Sequence, residues 1–505
     1  MTSPATPRPR PEDENLGIGA NFAYGLQHVL TMYGGMIAVP LIIGQAAGLS
    51  PADVGMLIAA SLFAGGLATL LQTLGIPFFG CRLPLVQGVS FASVATMVAI
   101  IGNDGTNGLQ VVFGAVIVSS LIGLLITPLF SRIIQFFPPL VTGIVITTIG
   151  LTLMPVAARW AMGGNSQAAD FGSTANISLA AFTLACVLLL SKLGSASLSR
   201  LSILLAMVIG TLVAMAFGMA DFSLALDGPA VALPEVLHFT PEFQLAAILS
   251  MLIVIMVTMV ETSADILAVG EIIGTDVNAR RLGNGLRADM ISSALAPLFG
   301  SFTQSAFAQN VGLVAVTGVK SRYVVASAGL ILVTLGLLPV MGRLVAAVPT
   351  AVLGGAGVVL FGTVAASGIR TLAQVDYRNN MNLIIVATSI GFGMIPIAAP
   401  GFYHHFPSWF ETIFHSGISS SAIMAILLNL LFNHLRAGNS DQQSVFVAAS
   451  ERTLRYHDVA WLNEGDFFRD GKLFDCDGKE VPIIEVDQAH GHAPAAARKQ
   501  AEHAH

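Results

Sequence analysis

Charge is what this chain has least of. Only 10% of its 505 residues are Asp, Glu, Lys or Arg, against about 25% in soluble domains, and its mean hydropathy is +0.77. That shortage excludes a water-solvated globular surface. Cysteine is nearly absent too: Cys81, Cys186 and Cys476 show neither disulfide nor metal-ligand spacing. Residues 1–15 lack the apolar centre of a cleavable signal peptide. A net charge of −6 is small and says nothing about nucleic acid, which is not among the expected partners. The apolar stretches hold no nucleophile elbow, phosphate loop or His/Asp metal constellation, which speaks against a membrane-embedded enzyme. No metal or cofactor is expected, and without a nucleotide-binding motif ATP is not the expected energy source.

Long apolar runs are what the chain has instead. At about 20 residues per crossing, they predict an all-α polytopic membrane protein of 14 segments. The first seven are 18–44, 52–75, 84–100, 109–130, 138–158, 176–192 and 200–219. The second seven are 244–271, 285–302, 304–318, 323–347, 350–370, 381–399 and 418–435. With the N-terminus inside, the inner ends carry Arg82, Arg132, Lys192, Arg200, Arg280, Arg281, Arg287, Lys320, Arg322, Arg370 and Arg378. The outer ends carry only Arg159 and Arg343, so the positive-inside rule is met with both termini cytoplasmic. The outer loop 220–243 has Asp221, Asp227, Glu235 and Glu242 but no Lys or Arg. In the outer loop 400–417 the aromatics read as interface anchors, and His404, His405 and His415 as solvated side chains.

Seven is odd, so two halves of seven enter the membrane with opposite topology. The third segment of each half is short and interrupted: Leu83-Pro84-Leu-Val-Gln87-Gly88-Val-Ser90-Phe91-Ala92 and Gln304-Ser-Ala-Phe307-Ala308-Gln309-Asn310-Val-Gly312. Broken segments at matching places in inverted halves point to a transporter site. The amide pair Gln309-Asn310 either stitches helices together or lines that site. The crowding of polar and small residues up to Thr317-Gly318 favours the second reading.

Ionisable residues inside spans are functional candidates because their burial is expensive. Glu261 lies mid-span, and Asp265, four residues on, shares its helix face. Asp289 is read at the start of the ninth span, either as a proton-linked carboxylate or as an acid favourably placed at a helix start. His28, beside Gln27 in the first span, reads as a donor that orients the site across helices. Residues 436–505 form a soluble tail, with a small strand pair expected around Phe467, Phe468, Phe474 and Pro482-Ile-Ile. It ends in an Ala- and His-rich run containing His490, His492, His503 and His505.

These residues resemble a known family. Gln309-Asn310-x-Gly312-x-x-x-x-Thr317-Gly318 is similar to the signature of the nucleobase–ascorbate transporters, and Gln27-His28, Glu261 and the Asp289 segment resemble the same family. The resemblance covers about 18–435. It implies two inverted seven-segment repeats, short β-strands in segments 3 and 10, and a homodimer. A core of segments 1–4 and 8–11 (18–130 and 244–347) would slide as an elevator past a gate of segments 5–7 and 12–14 (131–220 and 348–435). Residues 1–17 and 436–505 would be cytoplasmic, and the chain would sit in the cell membrane. It further implies a purine held between Glu261 and Gln309, with Phe91 and Phe307 facing the ring, Ala308 and Asn310 beside it, and Gln27, His28, Gly312 and Thr317 supporting the site. A carboxylate can take two ring N–H groups, while an amide gives one hydrogen bond and takes another. Gln at 309, where uracil-type relatives carry Glu, resembles the bacterial xanthine and uric acid permease branch. Val311 and the run from Thr317 to Arg322 look closer to urate carriers. The implied energy source is proton symport, with Asp289 as coupling residue, Asp265 as its helper and Glu261 chiefly holding substrate. An anion carrier of the same architecture, as in sulfate permeases, is the alternative, and a committed carboxylate at Glu261 counts against it.

Overall fold

The computed structural model describes residues 10–435 apart from 103, 130–137, 196–197, 200, 221, 224–230 and 378–379. In the tail it describes 454–455, 467–469, 472–475, 480–481 and 483–484. Arg132, Arg200, Asp221, Asp227 and Arg378 therefore lie outside the described residues. So do Cys476, Pro482 and the histidines of the terminal run.

The chain is mostly helical. The first half gives α1 (Ile18–Ala46), α2 (Pro51–Leu74), β1 (Gln87–Val89), α3 (Val94–Ile101), α4 (Thr106–Ile126), α5 (Pro139–Ala161), α6 (Thr174–Leu193) and α7 (Ser202–Ala216). The second gives α8 (Leu245–Ile273), α9 (Ala279–Leu295), β2 (Gln304–Ala306), α10 (Ala308–Thr317), α11 (Arg322–Gly336) and α12 (Pro339–Ala346). It closes with α13 (Thr350–Leu372), α14 (Asn380–Ala398), α15 (Ser408–Phe414) and α16 (Gly417–Asn429). Among the described residues eight helices are long and apolar enough to cross a membrane, or nine if α11 and α12 form one broken span.

Local chemistry explains the boundaries. Ser50 caps α2 by accepting the Asp53 N–H, with Pro51 at the first helical position. Asn278 caps α9 by accepting the Arg281 N–H at 2.9 Å. The ninth helix thus starts six residues before the expected 285, and Asp289 lies almost three turns inside it. The helix-start reading of Asp289 is overturned. The expected eleventh span, 323–347, is two helices bent by 79°. Pro339 cannot continue α11 and forces Leu338 out of the helical region. The expected loop 400–417 contains α15, which stacks Phe410 and Phe414 (4.3 Å) beneath Phe406, with Tyr403 buried among them.

The crossing of the two broken segments is the centre of the fold. β1 and β2 pair antiparallel in the register Gln87↔Ala306, Gly88↔Ser305 and Val89↔Gln304. Flanking bonds run from Ser90 N–H to Thr303 C=O (2.8 Å) and from Phe307 N–H to Val86 C=O (3.1 Å). Two strands satisfy only the groups that face each other, so each outer edge needs another partner. On the β1 edge, Thr69 of α2 accepts the Gln87 N–H (2.9 Å), and its one proton is shared between the Gln87 carbonyl (3.2 Å) and the Gly65 carbonyl of its own helix (2.8 Å). On the β2 edge, Ser293 of α9 accepts the Gln304 N–H (2.8 Å) and donates to the Gln304 carbonyl (3.2 Å). Thr262 of α8 accepts the Ala306 N–H at 3.3 Å. α2 and α9 are the elements just before the two breaks, so the hydroxyl caps occupy matching places in the two halves.

Elsewhere, close backbone contact is made by glycine. α5 and α13 cross so tightly that a Cβ on Gly150, Gly354 or Gly368 would lie 2.2–2.3 Å from a backbone nitrogen of the facing helix. The residues before α1 are tied down as well: Glu12 pairs with Arg281 (2.6 Å), Asp13 with Arg322 (2.7 Å), and Ser321 donates to the Glu14 carbonyl (2.5 Å). The tail forms a unit of its own. Its described strands are β3 (Leu454–Arg455), β4 (Phe467–Arg469), β5 (Lys472–Phe474), β6 (Glu480–Val481) and β7 (Ile483–Ile484). β4-β5-β6 form an antiparallel sheet and β3 pairs parallel with β7, more than the expected strand pair.

Thr69→Val keeps the shape of that side chain but strands the Gln87 N–H and C=O. A buried polar group without a partner costs about 1–3 kcal/mol. Thermal unfolding of the detergent-purified protein should therefore fall clearly below wild type for Thr69→Val, while Thr69→Ser stays near it.

Candidate functional site

Two short helices begin at the crossing. α3 follows β1 after a 3-10 turn at Phe91–Ser93, and α10 follows β2 directly after Phe307. Phe91 and Phe307 meet edge to face there, with ring centroids 6.5 Å apart. The Phe307 ring lies on bare backbone: a Cβ at Gly88 would be 2.4 Å from it, and one at Gly35 of α1 2.8 Å. Phe361 of α13 packs on Phe91 at 6.0 Å, and Trp160 of α5 on Phe361 at 6.2 Å. An aromatic row thus leads from the crossing to α5 and α13.

The amide pair splits its work. Asn310 is buried and committed at both ends. Its Nδ2 donates to the Pro84 carbonyl at 3.0 Å, and its Oδ1 meets His28 Nδ1. A carbonyl only accepts, so Nδ2 must face Pro84 and Oδ1 must accept from the Nδ1–H of His28. The ring is thereby fixed in the Nδ1–H tautomer. This ties α1, the first break and α10 together, and gives Asn310 a positioning part. Gln309, one residue earlier, is half-buried and makes no side-chain hydrogen bond among the described residues. Ala308 beside it is exposed.

α8 packs against α10 and brings up the carboxylates. Glu261 is half-buried, again without a side-chain hydrogen bond among the described residues. Asp265, one turn on, is buried, and its Oδ2 finds no partner. Asp289 of α9 is 1% exposed; its Oδ1 accepts from Gln72 at 3.2 Å and its Oδ2 is unpartnered. Glu261 and Asp265 stand one turn apart on α8, and α9, which carries Asp289, packs against it.

The remaining expected residues are peripheral. Gln27 is half-buried on α1. Thr317 donates to the Leu313 carbonyl at 2.8 Å and accepts the Val319 N–H, and Gly318 at φ +66° ends α10. Thr317-Gly318 is thus a helix stop. Gly312 is exposed, and a Cβ there would meet nothing within 4 Å. Sequence reasoning passed over Gln72, which binds Asp289, the Gly285 carbonyl and the Cys81 N–H at once. A glutamine inside the apolar α2 was the available signal. It also passed over Thr69, Thr262 and Ser293, whose polarity is unremarkable in sequence.

The Permease family model Xan_ur_permease matches residues 19–402. The uric acid transporter UacT of Escherichia coli (strain K12) is 40% identical over 430 residues, covering 84% of this chain and 89% of that protein. The xanthine permease of Bacillus subtilis (strain 168) is 37% identical over 439 residues, covering 87% and 99%. The uric acid permease PucJ of the same organism is 38% identical, covering 86% and 97%. Among solved structures, the transmembrane domain of the cyanobacterium bicarbonate transporter BicA aligns with a TM-score of 0.52 at 16% identity, covering 82% of this chain and 98% of that one. SLC26A9 aligns at 0.56 and 13%, covering 82% and 66%. At such identities the likeness is one of fold alone. The sequence matches go further: this chain belongs to the nucleobase–ascorbate transporter family, in its xanthine and uric acid permease branch, and it is a membrane permease rather than an enzyme.

Proposed function

We propose that the chain is a proton-coupled secondary transporter that imports a purine nucleobase, uric acid or xanthine, across the cell membrane. The observation that carries this reading is the contrast at the crossing. Glu261 and Gln309 are half-buried and uncommitted, while Asn310 and His28 beside them are engaged. A carboxylate and an amide left unpaired in an apolar setting suit a planar ligand whose edge offers both N–H and C=O groups. Phe91 and Phe307 supply the apolar surface for its ring. The names of the relatives support the purine class. The anion-carrier alternative gains only the fold likeness, and an inorganic anion offers Glu261 no N–H.

The finer architecture belongs to this proposal too. It comprises 14 segments in two inverted repeats, both termini cytoplasmic, and a homodimer whose core slides as an elevator past the gate. The matching hydroxyl caps at Thr69 and Ser293 support the inverted repeat. Asp289 carries the coupling proton, with Asp265 as its helper. Both are buried in the core with a carboxyl oxygen unpartnered, and neutralising them would remove charge before the core crosses the bilayer.

Glu261→Gln removes both the charge and an acceptor. Purine binding to the purified protein should be abolished, and wild-type affinity would refute the assignment. Gln309→Glu sets an acceptor against a substrate carbonyl. That costs about 1–3 kcal/mol and should weaken purine binding roughly fivefold to more than a hundredfold; unaltered competition by a panel of purines would show that Gln309 does not read the ring. Asp289→Asn keeps an oxygen for Gln72 and so preserves the fold. It should retain binding but lose accumulation driven by a pH gradient in proteoliposomes, and gradient-driven concentration at the wild-type level would move the proton to another carboxylate.

A further inference from the structure

A cavity of about 280 Å³ lies between α2 and α9, away from the crossing. Ala64, Leu67 and Leu71 form one wall, Ile291 and Leu295 the other, and Phe79 of the turn after α2 closes one end. Leu67 and Leu295 are 42% and 48% exposed, so the groove opens onto the surface that faces lipid. Its closed end is built with care. The Gly80 N–H donates to the Asn284 carbonyl at 2.8 Å, fastening the turn to α9. Gly80, at φ +92°, leaves no room for a Cβ, which would lie 2.3 Å from the Leu71 carbonyl.

Two arginines stand on this turn. Arg287 of α9 reaches it through the Phe78 carbonyl (3.3 Å) and is braced by Asn284 (2.7 Å). Arg82 folds back over Gly75, where a Cβ would meet its side chain at 2.8 Å. Neither forms an ion pair among the described residues, whereas Arg281 and Arg322 have Glu12 and Asp13. An apolar groove whose closing turn carries two cations without an ion pair, on the basic end of the helices, matches a lipid with a negative headgroup.

We propose that this groove binds an anionic phospholipid of the inner leaflet, one acyl chain lying between α2 and α9 and the phosphate resting on Arg82 and Arg287. The site holds the two elements that cap the strand pair, and it is separate from the substrate residues. Native mass spectrometry of the full chain, titrated with phosphatidylglycerol or with phosphatidylcholine of the same chains, tests it. Phosphatidylglycerol should bind the more tightly. The double variant Arg82→Gln/Arg287→Gln should lose about thirtyfold in affinity for it, the equivalent of about 1 kcal/mol per arginine. Leu295→Trp should fill the groove and reduce both lipids; if it fails to fold, Leu67→Trp on the opposite wall replaces it. Equal affinity for the two lipids, or phosphatidylglycerol affinity within twofold of wild type in the double variant, would overturn the proposal. So would a groove-filling variant that changes only the fraction of dimer, since the face would then belong to a second copy.

Discussion

Hydrocarbon supplies no hydrogen bonds, and that constraint governs this molecule at its centre. Two extended segments of three residues each interrupt the helices in the middle of an apolar chain. Each such segment exposes peptide groups that would cost several kcal/mol apiece if left bare. The strands cover each other on their inner edges, and hydroxyls serve the outer ones, Thr69 on β1 and Ser293 with Thr262 on β2. A hydroxyl suits the position because it gives and takes at the same time, serving the N–H and C=O of one residue. The helices supplying these hydroxyls are thereby fixed to the strands, and the strands fix where the two short helices begin.

This constraint separates what could be read in the sequence from what could not. The breaks were legible because polar and small residues are rare in membrane helices and cluster at 83–92 and 304–312. Glu261 and Asp289 stood out as isolated carboxylates. Their surroundings did not, since Thr69, Thr262 and Ser293 look like ordinary helix residues until the strands lie against them. The ninth helix began earlier than its hydropathy because Asn278 caps a polar first turn, Ala279-Arg-Arg-Leu, that no apolar window includes. The eleventh span hid its bend because both limbs are apolar, and only Pro339 marks the corner.

The signature around Gln309 also divides once its geometry is known. Asn310 locks α10 to α1 and to the first break, and Thr317-Gly318 stops the helix ten residues after it starts. Gln309 alone keeps its amide unspent. A motif of this kind is mostly scaffold, holding one or two chemically active positions still. The likeness to a bicarbonate transporter and SLC26A9 at 13–16% identity is one of fold alone, so side chains can differ widely while the frame is kept.

The two short helices that start at Val94 and Ala308 have a further consequence. Each presents its first peptide N–H groups toward the crossing, and each helix start carries roughly half a positive charge. The backbone thus contributes a positive potential at the start of each short helix, beside the carboxylates that α8 and α9 bring up. This field cannot be titrated away or erased by exchanging a side chain, because it belongs to the backbone.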